Sequence, residues 1–157
     1  MTSRFLNHSL SRFFNRFLQR AAWYLITLAA ASSVAQAAEA DALYQQLGQK
    51  SGISRFVADF VTIITTDTRI SKSFAETDQE RLAALLTEQF CQLSGGPCQY
   101  SGRSMEVTHA KMQITNAQFN ALAEDLQIAM EKHGIPSQAQ NKLLAKLAPM
   151  RRAIVEK

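Results

Sequence analysis

The chain has 157 residues, with 17 basic and 13 acidic side chains and a formal net charge of +4. This length is enough for one domain but not comfortably for two. Four of the basic residues and none of the acidic ones precede residue 38, so the remaining chain has 13 of each. A neutral remainder without a basic stripe excludes nucleic-acid binding as the main function, because that mode requires a surplus of Lys and Arg.

The first 37 residues have the pattern of an export leader. Four arginines precede an alanine-rich apolar run at residues 21–31, and Ala35 and Ala37 then fit a signal-peptidase site. We therefore predict a signal peptide over residues 1–37, an exported or periplasmic location, and a mature domain over residues 38–157. The alternative is an uncleaved N-terminal membrane anchor, although the run is short for a span of about 20 residues. Membrane contact is expected only through such an uncleaved leader.

Hydrophobic periodicity after the leader predicts helices and no strands. A short first helix, about 41–47, is expected to end at Gly48. The second, about 51–66, repeats apolar residues mostly at threes and fours. Asp78 is expected to cap a third helix, which Gly95 and the residues after it end.

The second half of the chain continues this pattern. Ser104 is expected to open a short helix that contains His109. Thr115 and Gln118 have the spacing of a capping box for the next helix. A last helix is predicted from about residue 137 to 154, so the predicted fold class is all-α.

Two cysteines, Cys91 and Cys98, flank a predicted turn. In an oxidising compartment such a pair can form a disulfide; the alternative is a buried free thiol at Cys91 beside an exposed Cys98. Neither C-x-x-C nor C-x-x-C-H occurs, so thioredoxin-like chemistry and covalent attachment of a c-type haem lack their signatures.

His109 is the most informative candidate for a metal ligand. Met105 lies four residues before it and Met112 three residues after it, which would place all three on one helix face. A neutral imidazole beside a soft, apolar wall suits the proximal side of a haem iron. The alternative is a core histidine that is hydrogen-bonded to the backbone.

Several motifs follow one another in a specific order. They are Leu43-Tyr44-x-x-Leu47-Gly48, Phe60 followed by Phe74, Gly95-Gly96-Pro97 leading to Tyr100-x-Gly102-Arg103-x-Met105, and His109-x-x-Met112-x-Ile114-Thr115. In combination they resemble the truncated, two-over-two haemoglobins, and within them group I. The resemblance runs from about Leu43 to Ile154 and implies a globin-like, truncated two-over-two helical sandwich.

The resemblance implies a non-covalent b-type haem (iron protoporphyrin IX) with His109 as the iron ligand. Phe74 would pack against the porphyrin face, and Tyr100 and Arg103 could reach a propionate, since Arg suits planar carboxylates. For these two the alternative is a solvated surface. The other expected pocket residues share an apolar character, with ordinary core packing as the alternative: Phe90, Met105, Met112, Ile114, Phe119 and Leu122.

The expected distal side departs from many relatives. The chain has Val61 where they carry tyrosine, and the third helix offers Leu82 and Leu86. None of these can donate a hydrogen bond to a gas ligand, whereas a bond to a charged group contributes about 1.5–3 kcal/mol. Thr87 and Gln89 are the nearest polar side chains, but helical spacing places neither over the iron. We therefore expect fast dioxygen loss, easy autoxidation, weak discrimination against carbon monoxide and no internal sixth iron ligand.

These observations favour a haem protein that binds a diatomic gas, namely dioxygen, nitric oxide or carbon monoxide. Nitric oxide detoxification and a redox partner are left open. The alternative is a haem-free, globin-like helical domain that binds a partner. The sequence offers no nucleophile–base pair and no carboxylate cluster at metal spacing, so a hydrolase or another metal enzyme lacks support.

Overall fold

The computed structural model describes residues 42–155, and this part of the chain is helical without strands. The predicted signal peptide and its alternative, a membrane anchor, lie outside the described residues. Within the described part, no helix combines the length and apolar character needed to cross a membrane.

The helices form two pairs, one packed on the other. Helix α2 (Gln49–Thr66) contacts both α3 (Gln79–Leu93) and α5 (Asn116–Lys132). Helix α6 (Ser137–Leu147) likewise contacts both α5 and α3. The pair α2–α3 therefore lies against the pair α5–α6, which is the predicted two-over-two arrangement. The elements are α1 (residues 42–46), α2 (Gln49–Thr66), α3 (Gln79–Leu93), α4 (Met105–His109), α5 (Asn116–Lys132), α6 (Ser137–Leu147) and α7 (Arg151–Ile154), with 3-10 turns at Ser71–Phe74 and Ala148–Met150.

Local capping signals fix the starts of three helices. The Asp78 carboxylate accepts the Arg81 N–H at 3.0 Å and begins α3, and the Ser104 hydroxyl caps α4. Thr115 and Gln118 form the complete capping box of α5. The three predicted starts are confirmed because each depends only on side chains within one turn of the helix.

The predicted last helix is interrupted. α6 ends at Leu147, and a 3-10 turn carries Pro149 before the separate short helix α7. Pro149 lacks a backbone N–H, and its ring would clash with a carbonyl of the preceding turn in a continuous helix. The break redirects the chain, so that Met150 and Ile154 face the same cavity as α6.

Aromatic side chains join the two helices of the pair α2–α3. The ring of Phe90 on α3 lies 6.2 Å from Phe56 and 6.4 Å from Phe60, both on α2. All three are almost completely buried. Rings at these separations interact favourably beyond the area they bury, so α2 and α3 form a firm edge for the cavity described below.

Cys91 and Cys98 form a disulfide, which decides between the two sequence-based alternatives. A Cβ atom added to Gly96 would lie 2.5 Å from the ring of Tyr44 and 2.7 Å from the Cys91 sulfur. Only glycine therefore fits at position 96, in the turn between the two cysteines. The bond fastens the segment that follows α3 to the end of that helix.

We expect Cys98→Ser to lower the free energy of unfolding by about 2 kcal/mol, because a disulfide restricts the unfolded chain. Cys98 is the better choice because Cys91 is fully buried. Urea denaturation at neutral pH measures the change. Dithiothreitol should destabilise the wild type to a similar extent and leave the variant unaffected; equal sensitivity of both proteins would contradict the expectation.

Candidate functional site

An apolar cavity of about 490 Å³ lies between the two layers of helices. Every element from α2 to α7 contributes to its walls, so the cavity occupies the position where a larger helical domain would have its central core. The sequence-predicted residues that line it are Phe74, Leu82, Leu86, Phe90, Tyr100, Arg103, Met105, His109, Phe119 and Leu122.

Two predicted lining residues, Met112 and Ile114, do not line the cavity. α4 ends at His109, and Lys111 and Gln113 then adopt positive φ angles of 67° and 54°. These left-handed residues turn the chain, so Met112 is 39% exposed and Ile114 is buried outside the cavity. The prediction that Met105, His109 and Met112 share one helix face is therefore wrong, because only Met105 and His109 belong to the helix.

The hydrogen bond of His109 determines the state of its imidazole. Nδ1 lies 2.8 Å from the carbonyl oxygen of Met105, one helical turn earlier. Because a carbonyl can only accept, Nδ1 is the donor, and in the neutral imidazole the lone pair is then on Nε2. His109 is partly buried at the cavity wall, and within residues 42–155 its Nε2 has no hydrogen-bond partner. A histidine oriented through one nitrogen and free at the other is the usual form of a metal ligand.

The leucines expected on the α3 wall do line the cavity, but α2 contributes residues other than the expected Val61. Phe60 and Ile64 line the cavity, and Val61 is buried outside it. Residues four apart share a helix face, whereas Val61 is turned away from that face by about 100°. On α3, Leu82 and Leu86 lie at the cavity together with Leu85, which sequence reasoning did not include.

Helical spacing left Thr87 and Gln89 outside the predicted pocket. Thr87 is buried away from the cavity, where its hydroxyl donates to the Ala83 carbonyl, but Gln89 reaches the cavity. It is 8% exposed and lines the cavity next to Leu86 and Phe90. Its Nε2 atom lies 3.9 Å from the Met105 sulfur and 3.8 Å from the Met150 sulfur, both weak acceptors. The spacing of three residues from Leu86 was a usable signal. The contact with Met150 was not predictable, because it depends on the break in the last helix.

Hydrogen bonds fasten the segment after the disulfide to α3. The Glu88 carboxylate accepts from the Ser101 hydroxyl at 2.7 Å and from its N–H at 2.9 Å. These two bonds hold the pKa of Glu88 below its usual range. Gln92 accepts the Tyr100 N–H at 2.6 Å, and the Tyr100 hydroxyl donates to the carbonyl of Arg103 at 3.1 Å. The segment from Tyr100 to Arg103 is thus a fixed wall of the cavity.

The charged groups at the cavity are positive. Arg81 and Arg103 line it, and among the described residues no aspartate or glutamate does. Both arginines are exposed, so they lie at the rim rather than in the apolar interior. The cavity is therefore suited to a large apolar molecule with anionic groups at its edge, which guanidinium groups bind in a planar, two-bonded geometry. Arg81 was not among the predicted site residues.

The model of the bacterial-like globin family matches residues 42–156. The chain belongs to this family. The group 1 truncated haemoglobin GlbN of Mycolicibacterium paratuberculosis is 29% identical over 113 residues, covering 72% of this globin and 83% of the relative. These findings confirm the predicted relationship to truncated haemoglobins.

Solved structures confirm the predicted fold. The truncated haemoglobin of Tetrahymena pyriformis in its Fe(III) form superposes with a TM-score of 0.70 at 25% identity, covering 73% of this globin and 98% of that chain. The 2/2 haemoglobin of Synechococcus sp. PCC 7002, in the cyanomet state with covalently attached haem, gives a TM-score of 0.67 at 21% identity, with 73% and 98% coverage. The fold of this globin is therefore the truncated, two-over-two one.

We expect Gly102→Ala to loosen the cavity wall, because a Cβ at this position would overlap the ring and hydroxyl of Tyr100. The amides of Tyr100 and Ser101 should exchange with solvent about tenfold faster, as expected for weakening one hydrogen bond. Hydrogen exchange followed by NMR measures this. Gly134→Ala is the control, since it strains a distant left-handed turn (φ 67°) without meeting any atom within 4 Å and should leave these two amides unchanged. Unchanged exchange in Gly102→Ala would show that the wall tolerates the overlap.

Proposed function

We propose that this globin holds haem b non-covalently, with His109 as the iron ligand, and that it binds a diatomic gas. The observation that carries the proposal is the 2.8 Å bond between His109 Nδ1 and the Met105 carbonyl at the wall of the apolar cavity. When bound, haem b would supply an iron site at which dioxygen, nitric oxide or carbon monoxide can be held reversibly.

The residues around the cavity fit this group. Phe60, Phe74 and Phe90 provide flat apolar surfaces, and the exposed Arg81 and Arg103 at the rim would bind the propionates through their positive charge. Both cysteines are used by the disulfide, so neither is available for covalent attachment. This set of donors and apolar walls supports a b-type haem held by packing, one imidazole and two guanidinium groups.

His109 would act through the nitrogen that the fold leaves free. The Met105 carbonyl fixes the tautomer and the ring orientation, so Nε2 presents its lone pair without a proton having to be removed first. A carbonyl is a neutral acceptor, so it orients the ring without placing a charge beside it. We expect a five-coordinate haem when no external ligand is present.

Phe60, Ile64, Leu82 and Leu86 carry no hydrogen-bond donor, so this wall would exclude water and offer none to the gas. Gln89 also lines the cavity, but its amide is directed at the sulfurs of Met105 and Met150. A polar ligand then loses the stabilisation that a donor provides. Fast dioxygen loss and easy oxidation of the iron follow, and sustained use of dioxygen would require a redox partner. Binding of nitric oxide does not depend on such a donor, so a role in nitric oxide chemistry is part of this proposal.

We also propose that this globin works outside the cytosol. The disulfide supports this location, because cysteine pairs persist in oxidising compartments and are rare in reducing ones. The leader-like pattern of residues 1–37 supports it independently.

His109→Ala should abolish the Soret band and the histidine-ligated visible spectrum of the haem-reconstituted protein. His133→Ala is the matched control, because His133 pairs with Asp59 at 2.7 Å and does not line the cavity. The wild type and the control should show one broad ferrous band that sharpens with carbon monoxide. Absence of a Soret band in the wild type would support the haem-free, partner-binding alternative. Two sharp ferrous bands would indicate an internal sixth ligand.

Leu86→Gln should slow dioxygen loss about tenfold or more, since it adds a donor to the apolar wall and such a bond contributes at least about 1.5 kcal/mol. Stopped-flow displacement by carbon monoxide measures the rate. Leu85→Gln places the same amide one residue away on the same cavity-lining helix. An equal effect of both variants would contradict the assignment of Leu86 to the gas-binding side.

A further inference from the structure

Asp125 has a buried carboxyl group with fewer hydrogen-bond partners than its two oxygens can accept. Its side chain is 3% exposed, and it does not line the haem cavity, although its neighbour Leu126 does. Asp125 Oδ2 is the buried side-chain oxygen that has no hydrogen-bond partner in the described part of the chain. Oδ1 lies 3.5 Å from the guanidinium of Arg69, at the limit of a contact. Burial of a carboxylate in this state is costly.

A second carboxyl group faces it from the turn that ends α2. Asp67 and Asp125 both contact the guanidinium of Arg69, at 2.8 and 3.5 Å, and Asp67 is itself only 13% exposed. Arg69 binds Asp67 through its N–H and its Nε, each at 2.8 Å, and also pairs with Glu124 on the surface of α5. Three carboxyl groups thus surround one guanidinium, so the charges do not balance. Two carboxyl oxygens can share a hydrogen bond only when a proton lies between them.

We propose that Asp67 and Asp125 form a proton-binding site that fastens the turn after α2 to helix α5. The proton comes from water and binds one carboxyl oxygen of Asp125, whose O–H then donates to Asp67. No other bond changes. Burial, the largest effect, together with the charge of Asp67 raises the pKa of Asp125 to about 6, while Arg69 opposes this rise. The pair therefore exchanges its proton within the range of pH that a cell envelope or a mildly acidic medium can reach.

The turn transmits this change towards the cavity. The Asp67 carbonyl accepts the N–H groups of Ile70 and Ser71 at 3.0 and 2.7 Å and so begins the 3-10 turn Ser71–Phe74. Phe74, the last residue of that turn, lines the cavity. When the proton leaves, two facing carboxylates repel each other at the base of this turn. We expect Phe74 to be held firmly at acidic pH and less firmly above about pH 6.

Other charged groups on elements packed with α5 lie elsewhere along it. Asp59 of α2 pairs with Lys132 at 3.0 Å and with His133 at 2.7 Å, almost two turns beyond Asp125. Helix α6, which also contacts α5, carries Lys142 and Lys146. The groups that act on Asp125 are Asp67, Arg69 and Glu124.

Asp125→Asn tests the site, because the amide keeps the shape and donates to Asp67 without taking up a proton. The folded pKa of Asp125 lies above the unfolded one, so the wild type is stabilised at low pH and loses this stability as pH rises from about 4 through about 6. Relative to the variant, its folding equilibrium should fall tenfold or more across this range. Urea denaturation at a series of pH values measures the ratio of the two folding equilibrium constants. The same dependence of stability on pH in both proteins would overturn the proposal.

Glu124→Gln is the matched control, since Glu124 is the exposed neighbour that pairs with the same arginine. It should keep the pH-dependent loss of stability, with its midpoint at a slightly lower pH, because Glu124 is the smallest of the named effects that raise the pKa of Asp125. If Asp125→Asn does not fold, infrared difference spectra of the wild type between about pH 5 and pH 8 give a second test. The carbonyl band of a protonated carboxylic acid should disappear with a midpoint near 6. A spectrum without this band would also overturn the proposal.

The effect on the cavity rests on the proposed haem function and is measured separately. In the haem-loaded protein, the ratio of haem-loss rates between wild type and Asp125→Asn should rise above about pH 6. A constant ratio, with the stability difference present, would show that the proton does not reach Phe74. A protein that binds no haem would refute the proposed function, and the denaturation series would still test the proton site.

Discussion

The cavity is the constraint on which the rest of the structure depends. A cavity of about 490 Å³ takes the place of much of the core that a domain of this size could build. Protein atoms support the side chains at its walls from one side only, so the walls cannot hold each other by direct contact. Each wall must therefore be held from behind, and the devices differ from wall to wall. Stacked aromatic rings hold α2 to α3, a disulfide and carboxylate bonds hold the segment after α3, and a charged turn holds the segment after α2.

His109 shows that two interpretations of one residue need not exclude each other. A histidine bonded to the backbone was the alternative to a metal ligand, and the structure contains that bond. It uses Nδ1 only, and it is the reason that Nε2 is free and correctly oriented. The short helix α4 achieves this with five residues, because the acceptor, the Met105 carbonyl, belongs to its first residue.

Most of the fold could be predicted from the sequence because its signals are local. Asp78, Ser104 and Thr115 each cap a helix through a neighbour three residues away, and the apolar stripes of α2 and α3 follow the helical repeat. The end of α4 was not predictable in this way. Lys111 and Gln113 adopt left-handed conformations that neither residue type signals.

The residues of the candidate site show the same difference between local signals and long-range contacts. Residues placed by one regular helix, such as Leu82 and Leu86, could be assigned from spacing alone. Gln89 and Met150 meet across 61 positions, and Arg69 and Asp125 across 56, so only the folded chain shows these contacts. The buried carboxyl pair could not be inferred from a sequence in which both aspartates resemble ordinary surface residues.

The disulfide forms the last covalent link in one wall of the cavity, so the wall differs before and after Cys91 and Cys98 are oxidised. While Cys91 and Cys98 are thiols, the segment from Tyr100 to Arg103 is held by hydrogen bonds alone, and oxidation then adds a covalent closure. A large flat molecule that arrives before oxidation meets a wall that can still yield, whereas one that arrives later meets a finished wall. The history of a molecule, and not only its sequence, thus determines how easily its interior can be filled or emptied.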